Sequence, residues 1–365
     1  MTGSRVHLSR RLGLLTAAAV TVALTASPAT AAGSGYTRTD LVADETGVPG
    51  VTVVDPSLVN AWGMSQSPSS PVWVSAADSH VSTLYSGASA TGVTKASLTV
   101  VVPGGAPTGQ VFNSDSSKFI VCAGACSAGR FLFATERGVI GAWSPGINLT
   151  GAPPSTHAVA AVAIPGASYK GLALATSGGA TYLYAANFRA RTIDVIDSAF
   201  HKQTWAGAFV DPALPAGYAP FNVALIRGLL YVSYAVAGRT GDDVAGPGHG
   251  VVDIFQTDGT FVRRLISGRG LNSPWGMAYA NTSFGAFSGA LLVGNFGDGL
   301  IHAYDPRNGS YRGVLTDAAG AQIRIDGLWG LLFGNGVSAA TSALMYTSGP
   351  GGEAHGRFGI ITANP

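Results

Sequence analysis

Apolar residues along this chain fall in short runs rather than long helical stripes. One set of runs ends on a polar or small residue: Val72 to Asp78, Phe131 to Glu136, Tyr182 to Asn187, Leu229 to Tyr234, Leu291 to Asn295 and Leu344 to Ser348. A second set follows closely: Val81 to Tyr85, Val139 to Trp143, Thr192 to Asp197, Gly250 to Phe255, Leu300 to Tyr304 and Arg357 to Thr362. Several of these alternate, as in Ile193-Asp194-Val195-Ile196-Asp197, which predicts strands with one wetter face. Before each pair stands a further apolar segment. Three of these segments carry Trp-Gly-apolar: Trp62-Gly63-Met64, Trp275-Gly276-Met277 and Trp329-Gly330-Leu331. The equivalent positions elsewhere are Thr108-Gly109, Lys170-Gly171 and Phe221-Asn222. The anchors 63, 109, 171, 222, 276 and 330 repeat every 46 to 62 residues.

Three strands and a variable fourth, repeated six times, predict an all-β, six-bladed β-propeller. Turn residues separate the runs, as in Thr257-Asp258-Gly259 and Pro306-Arg307-Asn308-Gly309. The last repeat has no fourth strand of its own. Tyr36 to Ala43 precedes the first anchor and is predicted to join the last blade, closing the ring and removing a free sheet edge. An open β-solenoid is the alternative, but its periods are shorter and it would not split the last repeat.

Composition agrees. Charged residues make up 11% of the chain, with 51 glycines and 47% apolar residues. This suits short buried strands and tight turns. Arg5, Arg10 and Arg11, the apolar stretch from Leu12 to Leu24, and Ala29-Thr30-Ala31 read as a signal peptide over residues 1–31. Residues 32–365 then form a single propeller domain, expected to be a secreted, extracellular monomer with no membrane span. Export by the Sec route is expected; Ser9-Arg10-Arg11 keeps a twin-arginine (Tat) route open, although Gly13 stands where Phe is usual. The leader carries no acidic residue, so the mature chain has a charge near −1 and no basic face for nucleic acid. Cys122 and Cys126, in an exported chain, predict a local disulfide; a metal site would need further ligands.

Longer phrases carry a resemblance. The strand runs with Ala77-Asp78 and Gly294-Asn295 resemble NHL and SMP-30-like propellers. The whole mature chain is similar to a family of secreted bacterial propellers known mainly as conserved hypothetical proteins. The shared phrases include Leu58 to Gly63, Tyr169 to Leu174, Asp211 to Phe221, Asn295 to Gly299, Asp326 to Gly330 and Glu353 to Gly356. The resemblance implies the six-bladed fold and no established activity. Asn60 stands where that family usually has Pro, a small departure. In NHL-type lyases, metal-binding histidines occupy the places of Trp62, Lys170, Trp275 and Trp329, which argues against transferring their chemistry.

Antiparallel blades put the loops leading into strand one and the loops joining strands two and three on one face. That face is predicted to carry function, because long loops on a rigid scaffold are where sites are built. It holds Asp78, Glu136, Asn187 and Asn295. Two long loops join it: residues 235–250, with Arg239, Asp242, Asp243 and His249, and residues 348–356, with Glu353 and His355. Trp62, Trp275 and Trp329 would form one arc of the channel mouth, with Lys170 and Phe221 opposite. They read either as an aromatic ligand surface or as packing wedges between blades beside close-approach glycines. Lys170 reads as a cation for a carboxylate or phosphate, or as an ion-paired lysine. Asp242 and Asp243 are candidates for a divalent cation, Ca²⁺ or Zn²⁺, or form a solvated turn. Lys170, His249, Glu353 and His355 are candidates for acid–base work.

No nucleophile elbow, His-Glu-x-x-His, Walker or EF-hand pattern is present. Asn148-Leu149-Thr150 is a formal glycosylation sequon. The expectation is therefore a secreted binding module for an extracellular small molecule or glycan. The alternatives are a propeller lyase or hydrolase, metal-assisted or not, and a structural envelope protein.

Overall fold

The computed structural model describes residues 1–2 and 35–365, apart from 148, 150, 152, 153 and 282. The leader over residues 1–31, except its first two residues, lies outside the described residues, as do two of the three sequon positions.

Six antiparallel sheets of four principal strands make the ring. Blade one is Ala61–Ser65, Val72–Ala76, Val81–Ser89 and Gly92–Val101. Blade two is Pro107–Phe112, Phe131–Thr135, Val139–Trp143 and Val159–Ala163. Blade three is Tyr169–Ser177, Ala180–Asn187, Thr192–Asp197 and Lys202–Gln203. Blade four is Tyr218–Ile226, Leu229–Val236, Val251–Phe255 and Phe261–Ser267; blade five is Pro274–Tyr279, Leu291–Asn295, Ile301–Tyr304 and Tyr311–Val314. Blade six takes Leu328–Phe333, Leu344–Ser348 and Arg357–Ala363, and its outer strand is Tyr36–Ala43. Tyr36 pairs with Ala363 and Ala43 with Arg357, antiparallel, and Val53–Val54 adds a short parallel edge. The innermost strands touch in cyclic order, the sixth against the first. The propeller expectation and its closure by the N-terminal strand hold.

The only helical element among the described residues is one 3₁₀ turn, Gly285–Phe287. No helix there is long and apolar enough to cross a membrane. A hairpin, Ile120–Ala123 with Ala125–Ala128, is inserted in blade two, and the Cys122–Cys126 disulfide joins its two arms.

The strand-one anchors form a continuous close approach around the axis. A Cβ on Gly63 would strike the Thr108 carbonyl; one on Gly109 would strike the Leu172 amide; one on Gly171 would strike Asn222. A Cβ on Gly276 would lie 2.6 Å from the Trp329 carbonyl oxygen, and one on Gly330 would lie 2.7 Å from that of Trp62. Five of the six blades are therefore seated against the same position of the next, closer than any side chain allows. Blade four alone has Asn222 at this position, and its amide bridges the gap, donating to the Trp275 carbonyl at 2.8 Å.

Buried carboxylates tie the outer strands to the inner ones. In blade three, Tyr169 Oη donates to Asp194 at 2.9 Å, and Lys202 Nζ lies 2.8 Å from the same carboxylate. Between Tyr85 and Lys95, Asp55 is held the same way, at 2.6 and 2.7 Å. Tyr, Asp and a cation recur because a buried carboxylate needs both a donor and a counter-charge. Near blade four the balance is poorer. Arg264 Nε donates to the buried Asp211 at 3.0 Å and lies 3.7 Å from Asp253, which is itself fully buried. Neither Asp253 oxygen has a hydrogen-bond partner among the described residues. Burial first, and then the Asp211 charge, push the Asp253 carboxyl up to about 8.

Candidate functional site

The channel is not open through its length. The three tryptophans enter it from strand-one starts in blades one, five and six and meet one another. The Trp62 and Trp329 rings stack with centroids 3.5 Å apart, and Trp275 meets both edge-on at 5.8 and 5.9 Å. Phe296 stacks on the outer face of Trp329 at 4.0 Å, and Phe221 meets it edge-on at 5.8 Å. All three indoles and Phe221 are at most 4% exposed. These rings therefore pack on one another at the axis, joining blades one, five and six, and leave little aromatic surface open.

Asn60 organises this cluster. Its Oδ1 accepts from Trp62 Nε1 at 2.8 Å and from Trp329 Nε1 at 3.1 Å. Its Nδ2 is thereby directed outward and donates to Glu353 Oε2 at 2.8 Å. The third indole, Trp275, donates to the Lys170 carbonyl at 3.0 Å. Asn60 has φ +51°. Asn tolerates this left-handed conformation, whereas the proline of the resembling family is locked near −65°. The departure read as small from the sequence is the link between the aromatic cluster and the mouth above it.

Above the indoles lies a charged mouth. Lys170 is 4% exposed, yet its Nζ is paired with Glu136, lies 3.9 Å from Asp242 and sits 5.2 Å from the Trp62 ring centroid. The Phe188 ring is 6.0 Å away on the other side. A buried ammonium is tolerable only with such partners: a carboxylate, and ring faces that carry negative charge. Glu353 binds a proton more readily than an ordinary carboxyl, chiefly through burial. The Asn60 amide and Lys170 oppose the shift, while Glu136 and Asp78 add to it. Asp78 is raised by burial, with Glu136 adding; Asp243 is raised by burial, against Ser273 and Lys170. Asp243 Oδ2 and Ser273 Oγ are buried without a hydrogen-bond partner among the described residues.

Sequence candidates thus divide. Lys170, Glu136, Asp242, Asp243, Glu353 and Asp78 share one electrostatic neighbourhood at the predicted face. His249 turns back into its own loop, with Nδ1 2.8 Å from the Val244 carbonyl. His355 faces Asp44 and Glu45 at 3.2 and 3.5 Å. Asn187 and Asn295 hold turns, the first through Ser168 and Ala190, the second through the Gly270 carbonyl and Asp298. Among the described residues, the three-ligand grouping compact enough for a metal ion is Asp44, Glu45 and His355, not Asp242 and Asp243. Arg357 already pairs with both acids there, at 3.0 and 2.7 Å.

No known protein-family profile matches the chain. The uncharacterized protein R648 of Acanthamoeba polyphaga mimivirus is 32% identical over 288 residues, which cover 76% of this chain and 69% of that protein. The chain belongs to the R648 family. A second mimivirus protein, the uncharacterized L690, is 34% identical over 62% of this chain and 60% of its own length. These members of the R648 family bring no stated activity. Among solved structures, the α-L-arabinanase of Penicillium chrysogenum, complexed with arabinobiose, is 12% identical with a TM-score of 0.53, over 89% of this chain and 98% of that one. That likeness concerns the fold alone.

Proposed function

We propose that the protein is a secreted binding module that takes a small hydroxyl-rich ligand of glycan type at the Lys170 mouth. The observation that carries this is a buried ammonium set among carboxylates at the end of a rigid channel. A sugar hydroxyl both donates and accepts, so it matches an alternation of ammonium and carboxylate better than a simple anion or cation does. Charge-assisted hydrogen bonds of this kind are the strong ones. The buried indoles act as the floor of the mouth rather than as a stacking surface.

A second reading is acid–base turnover of such a ligand, by lysis or hydrolysis. It rests on Glu353, which holds its proton more tightly than an ordinary carboxyl, beside Glu136 paired with Lys170. A proton donor and a charged neighbour in one mouth are the parts such chemistry needs.

The test is a tryptophan-emission titration against a panel of neutral oligosaccharides, since Trp62 lies beneath Lys170. At least one oligosaccharide is expected to give a saturable change that weakens tenfold or more in Lys170→Met. A flat response across the panel overturns binding. Release of new reducing or unsaturated ends, abolished in Glu353→Gln, separates turnover from binding alone.

A further inference from the structure

The channel has a second end, below the ring of strand-one anchors. There it opens into a cavity of about 640 Å³, bounded by the last halves of all six innermost strands. That volume lies within the range of small-molecule sites. Its wall is largely aliphatic: Met64, Val111, Leu174, Leu225, Met277 and Leu331 all line it. Leu225 stays 44% exposed on a strand held rigid by pairing on one side and the next blade on the other. Such a residue cannot withdraw from water by moving.

The lining contains one charged residue, Arg227. It has φ +52° and is followed by Gly228 at +82°. In such a hairpin turn, Asn, Asp or Gly is the residue of low cost at the first position. Here Arg takes the strained place at the cavity rim. Its Nη1 donates to Tyr279 Oη at 2.9 Å, and its guanidinium lies 5.0 Å from the Tyr279 ring centroid. It forms no ion pair among the described residues, and no acidic side chain lines the cavity. The guanidinium has five N–H donors in a planar fork, so most remain available to a carboxylate.

We propose that this cavity binds a small amphipathic monoanion, a carboxylate with an apolar body. The apolar body lies among the aliphatic strand ends and the carboxylate is paired with Arg227. The aromatic cluster separates this site from the Lys170 mouth, so the two ends bind independently.

Sodium decanoate and 1-decanol are the probes, measured by calorimetric titration and by tryptophan emission, because Trp275 lines the cavity. Decanoate is expected to bind once per chain. Arg227→Gly removes the guanidinium and relieves the left-handed strain, so it folds; it is expected to weaken decanoate about tenfold, the size of a charge-assisted hydrogen bond. Decanol is expected to bind more weakly than decanoate, and equally to both proteins. Leu225→Asn weakens both probes, and Lys170→Met leaves both unchanged. The proposal is overturned if the wild type shows no saturable binding, if Arg227→Gly binds decanoate as well as wild type, or if Lys170→Met is the variant that loses it. The first two outcomes leave the oligosaccharide reading standing, because that reading depends on the other end of the channel; the third moves decanoate to the Lys170 mouth and counts against both readings.

Discussion

Trp62 and Trp329 stack at 3.5 Å between centroids and give both their N–H groups to one oxygen, Oδ1 of Asn60. One amide thus satisfies two buried donors and aims its own N–H at Glu353. This residue thereby ties the start of blade one to two distant positions of blade six, the Trp329 ring and the Glu353 loop.

Removing that acceptor should be costly. Asn60→Ala leaves two indole N–H groups buried and unpaired, each worth about 1–3 kcal/mol, so urea denaturation is expected to show a loss of roughly 3 kcal/mol. Asn60→Pro should lose more, since proline cannot adopt φ +51°. A loss below about 0.5 kcal/mol for Asn60→Ala would show that the indoles do not depend on it.

The glycine ring gives a second expectation. Gly109→Ala drives a Cβ into the Leu172 amide and the Gly171 backbone. Backbone atoms cannot swing aside, so blades two and three must separate, at about 1–3 kcal/mol. Asn222→Gly restores the glycine of the other anchors but deletes the bond to the Trp275 carbonyl. It is expected to cost only about 1 kcal/mol. Chemical denaturation of the two variants checks the order; a larger cost for Asn222→Gly would contradict the close-approach account.

Asp253 sets a pH dependence. Its carboxyl is pushed up to about 8 from an ordinary 3.8. Between those values the folded protein holds a proton that the unfolded chain has released. Its contribution to stability is therefore full below about pH 4 and is lost as pH rises through 8. The difference in stability between wild type and Asp253→Asn should shift in favour of the variant across that window. Thermal unfolding of both proteins from pH 4 to 9 measures it, and parallel curves would place the titration elsewhere.

Much of the fold was legible because inner strands are buried on both sides and write continuous apolar runs. Leu291 to Asn295, Leu344 to Ser348, Val139 to Trp143 and Thr192 to Asp197 are strands with those same ends. Apart from Tyr36–Ala43, the outer strands were not legible. Lys202–Gln203 has two residues, and Val159–Ala163 and Tyr311–Val314 are partly or fully exposed, so neither length nor hydropathy marks them. At the mouth, residue type and loop order were enough to nominate Lys170, Glu136, Asp242 and Glu353. They could not show where the indoles point, because an innermost strand has a third environment, the channel axis, that a two-faced strand pattern does not encode. Nor could they place His249 and His355, whose loops turn the rings toward Val244 and Asp44. Asn60 was read as no more than a small departure because its role lies in a left-handed backbone and in partners as far as 293 positions away.

The pairing of Tyr36–Ala43 with Arg357–Ala363 also makes closure of the ring a contact between its two chain ends. The other five blades pair strands that are neighbours in sequence, whereas this one closes a loop spanning the whole propeller, at a larger entropic cost than a local turn. Removing either strand would leave the sixth sheet with an unpaired edge, the kind of margin to which a second chain can add a strand.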